Sequence, residues 1–365
     1  MKRKFILCLI LCIGMLPLGC FSDTKDPGSS EIQFIEPDTE HVLVQSTDSA
    51  GEPIKQPEAT APEVKIAPEA DATPYVPREP IAGDICTDRF PNYDTGEDAD
   101  YSYQSDELRV AIKKVVKADE GQTYYVADIW VRNISSFRMG FAKGKFNTGH
   151  ENPESFANRD NVIFGVSGSF NKGLVIHNGE KTKDVESKLI DFTSGIIVIY
   201  NDGTVKAINR NNNESFRYNK EQNEHGGIRH ALQFGPILVQ DGKAVQGLKK
   251  NGRHPRIMFG YYEPGHYVAV AVDGRKKKKA IGMTEIEMAQ LMESLGCECA
   301  MNLDGGTSAV MLFMGRTINT PSGVDKDGDG IAGRNIVDML EFAEYDENGV
   351  APALSTVYAN KFLGD

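Results

Sequence analysis

The sequence lacks most of the features that would assign it to several common protein classes. Only six of its 365 residues are cysteine, and one is tryptophan. After the first 20 residues no stretch of about 18 apolar residues follows, so we predict a soluble domain without a later transmembrane helix. A serine-hydrolase elbow, a phosphate-binding P-loop and a zinc-binding helix motif are absent, which leaves few rival chemistries.

Positive charge is also scarce, because 40 Lys and Arg residues face 52 Asp and Glu residues, a formal net charge of -12. Nucleic-acid binding needs a broad basic face, so we predict no nucleic-acid partner. Two basic groups interrupt this acidic chain, at 253–256 and 275–279. A charge run such as Lys276–Lys279 is usually a solvated loop.

The cysteines indicate little catalytic chemistry. Cys86, Cys297 and Cys299 are the ones beyond the first 20 residues, and we interpret them as small buried hydrophobic residues. One disulfide from Cys86 to either of the others is the alternative in an oxidising compartment. Because no histidine lies near Cys297 and Cys299, a zinc site is not expected.

Residues 1–20 are typical of an export signal. Three basic residues precede the apolar run Phe5–Leu16, and Leu18–Cys20 resembles a lipoprotein cleavage site. We predict that Cys20 becomes the lipidated first residue and anchors the protein to a membrane in the cell envelope. Pro17 departs from the usual cleavage pattern, so ordinary signal cleavage nearby is the alternative.

The next segment, 21–103, is rich in Pro, Glu, Thr and Ala and has little periodic hydrophobicity. Such a composition predicts a disordered spacer. Its last part, near Ile81–Tyr93, is a candidate to pack on the folded domain. We place that domain at 104–365, which is long enough for a full hydrophobic core.

Strand-like alternation and Asn-Gly or Asp-Gly turns dominate the domain, whereas helical patterns are few. The best helix covers 284–295, because Thr284 and Glu287 form a capping box and Gly296 follows as a stop. A shorter helix is predicted near Asn152–Arg159. These patterns predict an α+β fold, mostly antiparallel or mixed β-sheet with few packed helices. The main predicted strands are Leu108–Val116, Tyr124–Val131, Gly195–Tyr200, Pro236–Val239, Arg256–Tyr262 and Tyr267–Val272.

Residues Met301–Ser308 form the most informative stretch, because they place Asp304 beside two glycines and two hydroxyl groups. Glycine allows a ligand to approach the backbone closely. A second aspartate, Asp273, follows a strand and also precedes glycine. A strand-helix-strand unit joins the two, and functional groups gather where strands end, so we expect the two carboxylates to be neighbours. A plain tight turn is the alternative at 304–306.

The run from Val268 to Ser308 resembles the phosphodiester glycosidase family, which includes the enzyme that uncovers mannose 6-phosphate on lysosomal glycoproteins. The resemblance covers roughly residues 105–345, and its further landmarks appear in the family's order. They are Thr123–Trp130, Phe164–Asn171, Gly173–Gly179, Asn201–Gly203, Phe234–Gly242, His254–Arg256 and Gly333–Asp338.

The resemblance implies a hydrolase that cleaves the bond between a sugar's anomeric carbon and a phosphodiester oxygen. Asp304 is then the first candidate for the catalytic carboxylate, Asp273 the second and Asp338 the third. Arginine matches phosphate oxygens bidentately, and the predicted phosphate ligands are Arg256, Arg275 and Arg334. The other predicted substrate contacts are His254, Asn302, Gly305, Gly306, Thr307, Ser308, Ser167, Gly168 and Ser169.

The sequence departs from the family pattern at Ser167–Ser169, where relatives usually have Asn-Gly followed by another residue. A serine hydroxyl is shorter than an amide and offers one donor instead of two. An altered substrate preference or a weakened activity is therefore expected. His177 likewise occupies a position where relatives often have Arg.

An acidic loop at 325–330 has alternate aspartates followed by glycine, as in the first half of a calcium loop. An EF-hand would need Glu at position 336, where this chain has Ile. No cofactor is required by the predicted chemistry, and calcium is the one metal that the loop suggests, with a distant carboxylate such as Asp338 completing the site. A plain acidic turn is the alternative. The candidate ligands are Asp325, Asp327 and Asp329.

Two function classes thus remain besides the hydrolase. The departures at Ser167 and Ser169 leave room for a non-catalytic carbohydrate-binding lipoprotein on the same fold. The spacer and the acidic loop by themselves would suit an adhesion or envelope-structure protein. The expected partners are a glycan or sugar 1-phosphodiester and the membrane. The sugar, its anomeric configuration, the group beyond the phosphate and the oligomeric state are not defined by the sequence.

Overall fold

The fold is taken from a computed structural model, which describes residues 79–86, 90, 99–171, 173–184, 195–210, 216–249, 252–276, 279–323, 334–344 and 354. All of these belong to one compact unit. The predicted signal at 1–20 with Cys20, most of the spacer, and the candidate calcium ligands Asp325, Asp327 and Asp329 lie outside the described residues, so these stay predictions.

Strands are the commonest regular structure among the described residues, and helices are few. The strands are β1 Tyr101–Gln104, β2 Leu108–Lys117, β3 Gln122–Val131, β4 Phe137–Phe141, β5 Phe164–Ser167, β6 Leu174–His177, β7 Glu180–Asp184, β8 Gly195–Tyr200, β9 Val205–Asn209, β10 Ile228–Phe234, β11 Ile237–Gln240, β12 Lys243–Ala244, β13 Arg256–Glu263, β14 His266–Val272, β15 Cys299–Leu303, β16 Met311–Phe313, β17 Arg316–Thr317 and β18 Asp338–Phe342. The α-helices are α1 Pro153–Arg159, α2 Tyr218–Glu221 and α3 Glu285–Ser294.

The strands form three sheets among the described residues. An eight-stranded sheet has the order β1-β2-β3-β14-β13-β15-β11-β12, and two five-stranded sheets have the orders β7-β6-β10-β8-β9 and β17-β16-β5-β18-β4. Every strand pair with an assigned register is antiparallel. The predicted α+β class, with mostly antiparallel sheet and few helices, is confirmed.

The main core lies where the three sheets face one another. Alternate residues of β13, including Ile257 and Phe259, contribute to it together with residues of both smaller sheets. The rings of Phe137, Tyr267 and Phe342 pack against Phe259 or each other, with centroids 4.5–6.5 Å apart. Such aromatic contacts add stability beyond the area that they bury.

Helix α3 covers the opposite face of the eight-stranded sheet. Its residues Met288 and Met292 pack with Met258 of β13 and Val268 of β14. The predicted capping box at its start is present, because Thr284 and Glu287 exchange both hydrogen bonds. The helix therefore begins at a fixed point, close to the edge of the sheet where β13 begins.

The folded part begins before the predicted boundary at residue 104. Strand β1, starting at Tyr101, pairs with β2, and the backbone N–H of Ile85 donates to the Arg132 carbonyl at 2.8 Å. Cys86 is buried. The packing predicted for the segment from Ile81 is therefore present for 81–86. The folded part also includes β1, which starts three residues before the predicted boundary. The sequence did not indicate this strand, because it is short and flanked by polar residues.

Cys86, Cys297 and Cys299 are buried and form no disulfide with one another, as the favoured interpretation predicted. Cys297 packs under α3, whereas Cys299 lies in the main core. β15 begins only at Cys299, so strand alternation does not extend to Cys297. Among the described residues no helix is long and apolar enough to cross a membrane.

Strand β18 carries two buried carboxylates, Asp338 and Glu341. Glu341 lies near Arg138. Burial raises the pKa of Glu341 to about 8, although the Arg138 guanidinium lowers it. In an unfolded chain this pKa is about 4.3. The native state therefore binds more protons than the unfolded state between about pH 4 and 8, and this contribution to stability is lost as pH rises through that window.

We expect Glu341→Gln to make the free energy of unfolding fall less steeply across this window, by at least about 1 kcal/mol in total. The measurement is urea unfolding of both proteins at a series of pH values. Glu298→Gln, at an exposed position, serves as the control and should leave the slope unchanged. Parallel curves for wild type and Glu341→Gln would contradict the prediction.

Candidate active site

Three chain segments meet at one edge of the eight-stranded sheet, by which we mean the end of the strands at which β14 and β15 finish and β13 begins. Strand β14 ends just before Asp273, β15 ends just before Asp304, and β13 begins at Arg256. β13 lies between the other two and is antiparallel to both. The two aspartates share this edge as predicted, but they are not adjacent, because they follow strands about 10 Å apart.

The backbone at this edge is tightly packed around Pro255. A Cβ atom on Gly274 would lie 2.5 Å from the Pro255 nitrogen, and one on Gly305 would lie 2.7 Å from the Pro255 oxygen. The N–H of Gly306 donates to the same oxygen at 2.9 Å. These contacts require glycine at 274 and 305, and they explain why Asp-Gly follows both strands.

Asp304 lies at the centre of a polar cluster. Its Oδ2 accepts a hydrogen bond from Arg334 Nη2 at 3.1 Å, and Arg334 Nε also donates to Ser308 Oγ at 2.8 Å. The Asp304 side chain is 15% exposed, whereas Arg334 is 52% exposed. Burial raises the pKa of Asp304, while Ser308 and Arg334 lower it. The exposed guanidinium can bind an anionic group of a ligand, and the partly accessible carboxylate then lies beside that group.

Asp338 lies close to Asp304 and is fully buried. It accepts hydrogen bonds from the backbone N–H and the hydroxyl of Ser169, both at 2.6 Å. Burial raises the pKa of Asp338 to about 7, the Ser169 hydrogen bonds lower it, and the Asp304 charge raises it further. The two carboxylates are thus close enough to influence each other electrostatically.

The turn at 167–169 joins the two aspartates. Ser167 Oγ donates to the Asp304 carbonyl at 3.2 Å, and the Asp304 N–H donates to the Gly168 carbonyl at 2.9 Å. A Cβ atom on Gly168 would lie only 3.1 Å from Asp338 Oδ1. Both serine hydroxyls at the position that departs from the family pattern therefore support the aspartates.

Asp273, the second-ranked candidate, belongs to a different cluster. Its Oδ1 accepts from the Thr320 N–H at 2.8 Å and from Asn319 Nδ2 at 3.4 Å, and the residue is 3% exposed. Burial raises its pKa and these hydrogen bonds lower it. No contact with Asp304 is present among the described residues. Asp273 therefore holds the 319–320 segment against the sheet edge.

Two of the predicted phosphate ligands, Arg256 and Arg275, have no described contact with Asp304. Arg256 directs its guanidinium toward α3, where Nε donates to the Met283 carbonyl at 3.3 Å. Arg275 lies beside the 304–308 turn, with its Nη2 3.1 Å from where a Gly306 Cβ would be. The arginine that contacts Asp304 is Arg334 alone among the described residues.

The remaining predicted contacts take mixed positions. The buried Asn302 donates from Nδ2 to the Gly235 carbonyl at 2.7 Å, and its Oδ1 has no hydrogen-bond partner in the structure. The Thr307 carbonyl accepts from the Arg334 N–H at 3.1 Å. His254 is exposed and its backbone pairs with Met283. The Gly306 N–H donates to the Pro255 carbonyl. It is therefore not available to donate to a substrate, although Gly306 was predicted as a substrate contact.

His177, a further departure from the family pattern, lies away from these aspartates. Its Nε2 is 3.1 Å from the Met139 carbonyl, and its ring is 5.3 Å from the buried His230 ring. Burial lowers the pKa of His177. No described contact joins this pair to the Asp304 cluster.

Sequence reasoning missed Asn319 and Thr320, which hold Asp273, and the buried Glu285, whose charge acts on Arg256. Asn319 has no motif around it that would have singled it out. Glu285 was visible as the first residue after the Thr284 cap, where acidic residues are common for helical reasons alone. In the described part of the chain, no group of three His, Cys, Asp or Glu side chains could hold a metal ion.

Comparison with known proteins relates this geometry to a family. The model of the phosphodiester glycosidase family matches residues 151–342, which include every described residue of the Asp304 and Asp338 clusters. The SPbeta prophage-derived uncharacterized protein YomE of Bacillus subtilis is 32% identical over 183 residues. That alignment covers 48% of this chain and 26% of YomE, so the chain matches about a quarter of that relative's length.

A similar solved structure is the catalytic domain of zebrafish N-acetylglucosamine-1-phosphodiester alpha-N-acetylglucosaminidase, auto-inhibited by its pro-peptide. The TM-score is 0.53 at 17% identity, over 67% of this chain and 86% of that one. At this identity the similarity shows the fold alone. Together with the family match, it supports a glycosidase-like hydrolase at the level of the family. The chain belongs to the phosphodiester glycosidase family.

Proposed function

We propose that this protein is an exported, lipid-anchored hydrolase that cleaves a sugar 1-phosphodiester in a cell-surface or extracellular glycan. Family membership supports the reaction class, and the signal-like segment with Cys20 supports the location. The observation that carries the proposal is the Asp304 carboxylate, partly accessible and held against the exposed Arg334 guanidinium.

The reaction places a limited demand on the protein. Water adds to the anomeric carbon, the bond from that carbon to the phosphate oxygen breaks, and the phosphate monoester leaves with the bonding electrons. This leaving group is already stable as an anion, so protonation by a general acid contributes less than in ordinary glycosidases. The protein must stabilise a cationic sugar, accept a proton from water and bind the phosphate.

Asp304 is assigned the first two tasks. As a carboxylate it stabilises positive charge at the anomeric carbon or accepts the proton from the attacking water. Arg334 is assigned the phosphate, because its guanidinium is half exposed and lies 3.1 Å from Asp304. Binding both groups of the scissile bond side by side orients the substrate for attack.

Asp338 is assigned a positioning role, since it is fully buried and its side chain accepts hydrogen bonds from Ser169. Its two hydrogen bonds fix the 167–169 turn, and that turn in turn fixes the backbone of Asp304. The serine substitutions at this turn are therefore compatible with activity, because both hydroxyls have a role that supports the carboxylates.

The test is a release assay with a panel of sugar 1-phosphodiesters, beginning with an N-acetylglucosamine 1-phosphodiester, the substrate type named for the zebrafish neighbour. Release of free sugar together with a phosphate monoester is the expected result. Binding of a panel member without release would support a carbohydrate-binding lipoprotein. If no member of the panel is bound or cleaved, the hydrolase and the carbohydrate-binding function are both overturned.

A further inference from the structure

A group of lysines near one end of the eight-stranded sheet has no role in the reaction assigned to Asp304 and Arg334. The segments 113–120 and 276–279 together contain seven lysines, against two acidic residues. In a chain of net charge -12, such an excess of positive charge is a local exception. A basic run is by itself usually a solvated loop, so what the fold places beside it decides its meaning.

The fold brings the two lysine-rich segments together. The Ile281 N–H donates to the Gly121 carbonyl at 2.8 Å, and Thr123 Oγ1 donates to the Lys279 carbonyl at 3.3 Å. Thr123 is directly opposite Val116 in the pairing of β2 with β3. Opposite residues of antiparallel strands have their side chains on one face, about 4.5–5.5 Å apart. Lys279 therefore adjoins the face of β2 and β3 on which Val116 lies.

The lysines at this place are exposed, and an apolar side chain lies among them. Lys114 is two residues before Val116 on β2, so it shares the same face. Val116 is 61% exposed, and the other exposed large hydrophobic residue in the described part of the chain is Ile81. Lys276 belongs to the same turn as Lys279, whose N–H donates to the Lys276 carbonyl at 3.3 Å. All three lysines are exposed. We refer to Lys114, Val116, Lys276 and Lys279 as the lysine patch.

The acidic residues nearby leave the lysine patch positively charged. Glu120 pairs with Lys117, outside the patch, at 3.6 Å. Asp100 lies beside the patch, where its Oδ2 accepts a hydrogen bond from the backbone N–H of Lys114 at 2.7 Å. Asp273 is also near, but it is buried. Three exposed ammonium groups therefore face one exposed carboxylate.

We propose that the lysine patch is a docking surface for a membrane that contains anionic lipids. Each ammonium group near anionic headgroups raises the affinity for such a membrane by roughly fivefold. An exposed apolar side chain among the lysines adds affinity by entering the lipid interface. A soluble polyanion would match the lysines but not Val116, so the valine favours a membrane as the partner.

The position of the lysine patch gives docking a consequence for the rest of the protein. The Asp273 N–H donates to the Thr123 carbonyl at 3.0 Å, so the patch lies at the same end of the sheet as Asp304. The strand order β3-β14-β13-β15 separates Thr123 from Asp304 by three strand spacings, about 14 Å. Docking holds Asp304 close to the membrane surface. It does not depend on the reaction proposed for Asp304, and its test uses no substrate.

The test measures sedimentation of the protein with vesicles. The chain is produced from residue 20 onward with Cys20→Ser, so that no lipid anchor contributes. One set of vesicles is pure phosphatidylcholine, and the other is half phosphatidylglycerol. We expect at least about tenfold tighter binding to the anionic vesicles. Raising the salt concentration should reduce this preference, since exposed charges are screened.

Removal of two lysines of the patch tests the electrostatic part. Lys114→Gln combined with Lys279→Gln should weaken binding to the anionic vesicles by about 25-fold, at about fivefold for each lysine. Lys220→Gln combined with Lys243→Gln removes two exposed lysines from α2 and β12, and should leave binding within about twofold of the wild type. No preference of the wild type for anionic vesicles, or equal losses in the two double variants, would overturn the docking surface.

The valine separates a membrane from a soluble polyanion. Val116→Thr keeps the shape of the side chain and removes its apolar character, so binding to anionic vesicles should fall by at least about threefold. Because Val116 is exposed, the melting temperature should stay that of the wild type. Unchanged vesicle binding by Val116→Thr would make the patch a general polyanion-binding surface and would overturn the membrane as its partner.

Discussion

Asp304→Asn is expected to lower kcat/KM for a cleavable sugar 1-phosphodiester by about 10²- to 10⁴-fold, the usual contribution of a group in proton transfer. Asparagine has the same shape as aspartate and keeps an oxygen for Arg334 and Ser308. It cannot carry the negative charge that stabilises the sugar cation, nor accept a proton at neutral pH. The loss should therefore appear in kcat at saturating substrate.

Folding should not suffer from this change. Burial raises the pKa of Asp304, so the carboxylate is a cost that the amide does not have. The melting temperature of Asp304→Asn should match or exceed that of the wild type. Asp241→Asn, on the turn between β11 and β12 at the other end of the sheet, is the matched control and should keep full activity. Undiminished turnover by Asp304→Asn would remove Asp304 from the mechanism.

Arg334→Ala is expected to lower kcat/KM by roughly 10- to 150-fold, the value of a hydrogen bond to a charged group. A second effect follows from the pKa of Asp304. Arg334 lowers that pKa, so its removal leaves the pKa higher. Since the ionised carboxylate is the active form, the acidic limb of the pH-rate profile should move to higher pH in this variant.

The position of the acidic limb of the pH-rate profile shows whether Arg334 acts on Asp304 or only supports the structure. Arg334→Lys keeps the positive charge and should restore most of the limb's position, but less of the phosphate binding, because lysine lacks the planar fork. Arg316→Gln, an exposed arginine paired with Glu154, is the control and should change neither quantity. A profile of Arg334→Ala that is lower but not displaced would mean that Arg334 does not act on Asp304.

The helix and the strands of this fold were predictable because their signals are local. Thr284 and Glu287 lie three residues apart, and their capping box is present as expected. The Asp-Gly pairs after β14 and β15 also indicated two turns at one end of the sheet, because glycine is needed where the backbone packs against Pro255. Both signals can be recognised without knowledge of the tertiary structure.

The grouping of side chains at that edge could not be predicted in the same way. Asp338 meets Ser169 through the pairing of β18 with β5, which joins residues that are about 170 positions apart in the chain. Asp273 turns toward Asn319 and Thr320 because it lies on the other side of β13. No spacing in the sequence encodes these registers, and the structure brings Asp338, rather than Asp273, close to Asp304.

The tight packing of backbone on backbone around Pro255 limits which sequence changes this part of the protein can accept. Gly274 and Gly305 leave no volume for a side chain beside that proline, so insertions or larger residues there would displace the neighbouring Asp273 and Asp304 together. Changes to exposed side chains that border this end of the sheet, such as His254 and Arg275, add no volume beside that proline.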